Sequence, residues 1–260
     1  MARRVQEAAW HEVKIVGVLM QFNESTRGNL RRCLENMTRY CDEIAVYDDG
    51  STDDSTDVIH EFTNNVIFGG RNDFMKETQH RSLLLSRALT LGPDYLFWLD
   101  ADEVLDRDGT CGGLRKLCET GRSYGFPEIT LWRSLRWCRT DYLGQGCFTR
   151  LWKNNGSLDI PIVKGLHKQL YPNGLGEILR SSHRVLHYGY ATKEAIERRW
   201  DERTLLNVHV NFRRKGIDER RMKLAPVPAE WFPPGIDPPP DEPKPEPIGY
   251  QAHIMNQARL

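Results

Sequence analysis

An α/β fold built on a mostly parallel sheet is predicted, on three observations. Strand and helix signals alternate through the first half of the chain. The strand signals are continuous apolar runs, as expected of strands covered on both faces. Three of these runs end in polar, mostly acidic clusters, and ligands of open α/β sheets bind at such carboxyl ends.

The elements follow in order. Val13–Met20 (VKIVGVLM) reads as a first strand. Ser25 or Thr26 offers an N-cap, and a helix to about Tyr40 follows, with Leu30, Leu34 and Met37 at helical spacing. Glu43–Tyr47 is the second strand; the turn DDGSTDDS and a helix through Phe62 come next. Val66–Phe68 is a short third strand, and Phe74–Leu91 is a helix closed by Gly92-Pro93. Tyr95–Leu99 is the fourth strand and runs into Asp100-Ala101-Asp102-Glu103.

The second half is less regular. Glu128–Trp132, Leu135–Arg139, Gly146–Trp152 and Arg184–Tyr188 read as short strands, and Thr192–Arg214 as a helix capped by Thr192. A basic run follows, with Arg213, Arg214, Lys215, Arg220, Arg221 and Lys223, which reads as a solvated helix end or as a contact for anionic lipid or an anionic acceptor. Ten of the 14 prolines lie between Pro226 and Pro247, so the packed body is expected to end near 224. The rest reads as a Pro-rich tail, disordered or draped in extended form over the body. The expected organisation is an extension over 1–12, a ligand-binding half over 13–106, a second half over 107–224 and the tail over 225–260.

Composition excludes several classes. Of the 260 residues 39% are hydrophobic and 28% charged, which permits a packed core. Lys+Arg and Asp+Glu are 36 each, so no global field drives nucleic-acid binding. No apolar run approaches the roughly 20 residues that span a bilayer. The N-terminus reads as lacking a secretory signal, so the six cysteines are expected as thiols and the chain in the cytoplasm, free or peripheral to a membrane. Neither GxGxxG nor a P-loop is present, which argues against Rossmann dinucleotide enzymes and Walker NTPases.

The acidic clusters carry the chemistry. Phe22-Asn23-Glu24, Asp48-Asp49-Gly50-Ser51 and Asp100-Ala101-Asp102-Glu103 follow strands one, two and four. Strands that end together gather these carboxylates, which repel one another unless a cation or donors compensate. Mg2+ and Mn2+ prefer such oxygen ligands and share them with substrate phosphates. The blander reading of DDGSTDD is a turn with a helix cap.

VLMQFNES, AVYDDGSTDDS and YLFWLDADE together resemble family 2 glycosyltransferases of the GT-A fold, over about residues 13–106. Gln21-Phe22-Asn23-Glu24 stands where the family has Pro-Tyr-Asn-Glu. The resemblance implies a GT-A-like sheet with a smaller mixed acceptor-side region, and transfer of a sugar from a nucleotide-sugar. UDP is implied by family frequency and Mn2+ or Mg2+ as cofactor. It places Phe22, Asn23, Glu24, Asp48, Asp49, Arg81, Asp100 and Ala101 at the nucleotide. Phe22 would lie against the base, Asp48 or Asp49 would accept from base or ribose, and Asp100 would touch the ribose. Arg81 would pair with phosphate or with the acidic loop. Asp102 would hold the metal, completed by His187 of VLHYGY.

Relatives carry a His-Glu pair near Gly165-Leu166-His167-Lys168, where the Glu is a candidate base. Lys168 cannot serve so without a large pKa depression. Asp159 is then a candidate base, a retaining reaction is a second possibility, and a shifted alignment a third. Trp132, Trp137, Trp152, Tyr142 and Tyr171 fall in the acceptor region, and a small core is the competing reading for most of them. The acceptor is open: a glycan, a lipid-linked group, a small molecule or a modified nucleic acid. The alternatives are a nucleotidyltransferase on a related sheet and a non-catalytic nucleotide-sugar-binding protein.

Overall fold

The structure is a computed structural model and describes residues 13–141, 146–165, 167–205, 222–236 and 242–246. The elements alternate first: β1 (Ile15–Gln21), α1 (Asn29–Met37), β2 (Glu43–Asp48), α2 (Ser55–Phe62), β3 (Val66–Phe68), α3 (Glu77–Leu89) and β4 (Tyr95–Asp100). Then come β5 (Glu103–Leu105), α4 (Leu114–Cys118), β6 (Ser123–Thr130), β7 (Trp137–Arg139), β8 (Cys147–Lys153), β9 (Ile178–Arg180), β10 (Val185–His187), α5 (Lys193–Leu205) and β11 (Leu224–Pro226).

Nine strands form one sheet in the order β3-β2-β1-β4-β8-β6-β10-β5, with β9 also on β6. The β3-β2-β1-β4 half is parallel throughout, and antiparallel β8 joins it to the mixed half. This is the mostly parallel α/β sheet with a smaller mixed region that the sequence predicts.

Both faces of the parallel half are covered. On one, Leu30, Cys33, Leu34 and Met37 of α1 pack with Ile15, Leu19, Phe97 and Leu99. Gly17 lets α1 approach, since a Cβ there would press on the Met37 and Cys41 side chains. On the other face, Leu84, Leu85 and Ala88 of α3 pack with Val16, Val18, Trp98 and Trp152. The Trp98 and Trp152 rings stack 5.2 Å apart across the β4–β8 seam.

Several boundaries differ from the sequence reading. Ser25 and Thr26 do not cap α1; its N-cap is Gly28 at φ 67°, because Glu24 O already accepts from the Asn29 and Leu30 amides and holds 24–28 in a turn. The helix expected from Phe74 opens with a 3-10 turn over Phe74–Lys76. Strands β5 and β9 and helix α4 carried no periodic signal; two of these three are only three residues long. Packing also continues beyond 224. β11 pairs with β7, and Val227 and Phe232 are buried in a third cluster with Leu131, Cys138 and Tyr188, so this part of the tail is draped on the body. Of the basic run, Arg213, Arg214, Lys215, Arg220 and Arg221 lie outside the described residues, as does Tyr142. All six cysteines are free. Among the described residues no helix is long and apolar enough to cross a membrane.

One buried amide ties β5, and with it the loop between β4 and β5, to α1. Asn36 Nδ2 donates to Leu105 O (3.2 Å) and Thr110 Oγ1 (3.1 Å), while its Oδ1 accepts from the Leu105 amide (2.9 Å) and Tyr40 Oη (2.9 Å). Substituting Asn36→Leu leaves the Leu105 amide and Tyr40 Oη without their acceptor in the core, while Leu105 O keeps the Thr110 hydroxyl at 3.1 Å. The expected cost is about 2–4 kcal/mol in urea unfolding, with the fold retained.

Candidate active site at the carboxyl ends of the parallel strands

Register brings the acidic clusters into one row. Gln21 pairs with Asp48 in β2, and Met20 with Asp100 in β4, so the three strands end side by side. A cavity opens there, lined among others by Phe22, Glu24, Asp49, Arg81, Asp100 and Asp102. A second cavity adjoins it on the mixed half and shares Arg81, Asp100, His167, His187 and Arg199 with it.

The first loop divides its labour. Phe22 faces the cavity and meets Phe74 edge-on at 5.9 Å, a wall suited to a flat ligand. Asn23 sits at φ 52° and ties the loop to its neighbour: its Oδ1 accepts from the Thr52 amide (2.7 Å) and its amide donates to Ser51 Oγ (2.9 Å). Asn23 is therefore not a cavity residue. Nor is Asp48, whose buried carboxylate accepts from Gln21 Nε2 (2.6 Å) and the Ser51 amide (2.7 Å). For these two the turn-forming reading of DDGS describes the geometry.

Asp49 does face the cavity. Its Oδ2 accepts from Asn72 Nδ2 (2.8 Å) and the Asp73 amide (3.2 Å); its Oδ1 lies 3.4 Å from His80 Nδ1 and makes no hydrogen bond. Burial raises this carboxyl to about 6, the Asp73 and Asp48 charges add to the rise, and the bond from the Asp73 amide opposes it. Burial also lowers His80, so the imidazole beside it is held neutral.

Arg81, on α3, is buried. Its Nε and Nη2 sit on Glu77 Oε1 at 3.0 Å, its Nη2 is 3.6 Å from Asp100 Oδ1, and its guanidinium lies 4.7 Å from the Trp98 ring. Its Nη1 carries no hydrogen bond. Burial works against the Glu77 charge, but His167 and Arg81 hold that carboxyl down at about 2.

Asp102 and His187 meet as the resemblance implied. Asp102 Oδ2 is 3.3 Å from His187 Nε2 and also accepts from Arg199 of α5. Burial would raise the Asp102 carboxyl; His187 and Arg199 outweigh it and hold it well below the usual range. Burial likewise disfavours charge on His187, yet Asp102 and Glu128 push it up to about 10. Glu103, fully buried, accepts from the Asp100 amide (2.9 Å) and pairs with Arg150. Ala101 is buried between the two aspartates and also lines the cavity. Among the described residues no group of three or more His, Cys, Asp or Glu is gathered for a metal ion.

The family model described as glycosyl transferase family 2 matches residues 18–132. This stretch of the chain is similar to glycosyl transferase family 2. The matched stretch holds all three acidic loops, Arg81 and Glu128, whereas His187 and Arg199 lie beyond it. Among solved structures the chain is similar to S. aureus TarS in complex with UDP-GlcNAc, at 16% identity and a TM-score of 0.35, over 46% of this chain and 34% of that one. It is also similar to glucosyl-3-phosphoglycerate synthase from Mycobacterium tuberculosis in complex with Mn2+ and UDP-glucose, at 19% identity and a TM-score of 0.32, over 46% of this chain and 44% of that one. The chain thus spans less than half the length of either. No curated protein matches it in sequence.

One expectation is not met by placement. Asp159 is exposed and lines neither cavity; its backbone pairs with Asn173. Lys168 is exposed and also lines neither cavity. Of the aromatics, Trp132 and Tyr171 line the second cavity, Trp152 is core, and Trp137 donates to Glu242 O. Sequence reasoning missed His80, Glu77, Glu128, Arg150 and Arg199. The i, i+4 spacing of Glu77 and Arg81 was a readable signal.

An acid whose folded pKa lies above its unfolded value loses stability as pH rises through the folded value. Asp49→Asn removes that penalty. The variant is expected to melt above the wild type at pH 7.5, and the difference should close as pH falls from 6 to 4, followed by circular dichroism.

Proposed function

We propose that this protein is a metal-dependent glycosyltransferase that takes its donor, a nucleotide-sugar with UDP as the first candidate, in the first cavity and its acceptor in the second. The observation that carries the reading is the Asp102–His187 contact of 3.3 Å at the junction of the two cavities. Asp102 Oδ2 and His187 Nε2, which pair with each other while Arg199 also donates to that oxygen, are the two atoms that would hold a hard divalent ion, with phosphate and water supplying its remaining ligands. When bound, Mn2+ or Mg2+ would offset the charge that grows on the diphosphate as the sugar leaves.

The chain's own residues supply the rest. Phe22 and Phe74 make the wall for the base, and Asp49 Oδ1 offers an acceptor to its imide edge. Asp100 and Glu24 stand at the ribose. To serve as a ligand, His187 would have to release the proton that its contact with Asp102 stabilises. Arg150 neutralises Glu103 and so keeps the loop that carries Asp102 folded.

For the acceptor's proton, Glu128 is better placed than Asp159. It lines the second cavity, is partly open, and lies 3.9 Å from both His187 and Arg150. A carboxylate there can take a proton from an acceptor hydroxyl, or from water in its absence. The acceptor class is left to experiment.

Calorimetry with UDP in the presence and absence of Mn2+ tests the donor site. Binding should strengthen with Mn2+. Asp102→Ala should lose that dependence while keeping the fold, and His187→Ala should weaken it less; UDP affinity in Asp102→Ala that still responds to Mn2+ would remove the metal assignment. For the base, Glu128→Gln should keep UDP affinity and slow hydrolysis across a panel of UDP-sugars by about 10²-fold or more. An unchanged rate would exclude Glu128.

A further inference from the structure

We propose that a third cavity, between α1, α2 and residues 229–236, is a further ligand site, and that it takes an amphipathic anion: one carboxylate or phosphate head on an apolar body. The site stands apart from the two cavities at the strand ends and does not depend on the nucleotide-sugar reading.

Its walls follow from how the tail is draped. After β11 the chain buries Val227 and Phe232 against the mixed half. Between this segment and the two helices remains a cavity of about 560 Å³, a size that small molecules fill. Phe232, Ile236, Leu135 and Val58 give it an apolar side, and Arg32 and Tyr188 a polar one. Neither Arg32 nor Tyr188 lines a cavity at the strand ends.

Two observations point to an anion there. Arg32 is half-buried and has no carboxylate partner among the described residues; its Nη1 donates to Asn29 Oδ1 (2.8 Å), an uncharged amide. The acidic residues of the same cavity, Glu35 and Asp54, are exposed and act on Arg31, which Glu61 already engages through both oxygens (2.8 and 2.5 Å). The second observation is Tyr188, a buried side chain whose Oη has no hydrogen bond. Burial pushes this phenol up, against the pull of the Arg32 charge, so it keeps its proton and is a donor without an acceptor.

The two groups are set side by side. The Arg32 guanidinium lies 4.3 Å from the centre of the Tyr188 ring. A guanidinium stacked on an aromatic face is held flat, and its fork matches a carboxylate or a phosphate. Its remaining N–H groups and the phenol hydroxyl are close enough to share one anionic head. That head would supply the acceptor that each now lacks, and a desolvated donor without an acceptor is a cost to the fold. The apolar side favours a ligand with a hydrocarbon or ring body over a bare inorganic ion.

The test is calorimetric titration of the full chain with octanoate, octyl phosphate, acetate and octanol, in wild type, Arg32→Gln, Arg32→Lys and Tyr188→Phe, with folding followed by circular dichroism. Wild type should take octanoate or octyl phosphate at least about tenfold more tightly than acetate, which lacks the body, and octanol, which lacks the charge. The tighter of the two identifies the head as carboxylate or phosphate. Arg32→Gln should weaken that probe at least about tenfold, and Arg32→Lys should recover part of the loss. Tyr188→Phe should weaken it about threefold or more without lowering the melting temperature, since the hydroxyl has no partner to lose. The proposal is overturned if wild type takes neither amphiphile, if octanol binds as tightly as the anions, or if affinity is unchanged in Arg32→Gln. Should Arg32→Gln fail to fold, Tyr188→Phe decides, and undiminished affinity there overturns the site.

Discussion

Carboxylates crowded at one end of a parallel sheet are the constraint around which this molecule is built. Three strands ending in register put Asp48, Asp49, Asp100, Asp102 and Glu103 along one edge, and most of them are buried. Burying such groups uncompensated costs far more than a domain's net stability. Each is met by a partner: Gln21 and Ser51 for Asp48, Asn72 for Asp49, Arg81 for Asp100, Arg150 for Glu103, His187 and Arg199 for Asp102. The mixed half of the sheet is in this sense the counterion of the parallel half. It brings Arg150 on β8 and His187 on β10, and α5 follows with Arg199.

That division explains what was legible beforehand. Apolar runs on β1, β2 and β4 are read by eye because burial on both faces leaves them no polar alternation, and their ends mark the loops. Asp102 and His187 as metal ligands, and Arg81 as partner of a phosphate or of the acidic loop, came from a resemblance whose motifs those residues occupy. What stayed hidden is held by tertiary placement alone. Arg150 and Arg199 lie 47 and 97 residues from the carboxylates they neutralise, and nothing local marks them. Asp159 was a reasonable candidate by residue type, and its exposed bridge to Asn173 shows why type without position is insufficient.

The DDGS turn shows both readings holding within one motif. Asp48 and Ser51 build the turn; Asp49, one residue away, faces the cavity. Adjacent residues on a strand end point to opposite sides, so a structural and a ligand-facing carboxylate sit next to each other at no cost in chain length. Asn23 does the same for the first loop, its side chain spent on Thr52 and Asp53 so that Phe22 and Glu24 are held towards the cavity.

The seam between β4 and β8 has a mechanical consequence. The ladder is continuous across it, and the Trp98–Trp152 stack rivets it from one side. The two cavities therefore stand on a single plate. Bending one against the other would tear backbone hydrogen bonds and unstack two indoles. The distance between the two cavity floors therefore stays fixed, like the jaws of a gauge set once.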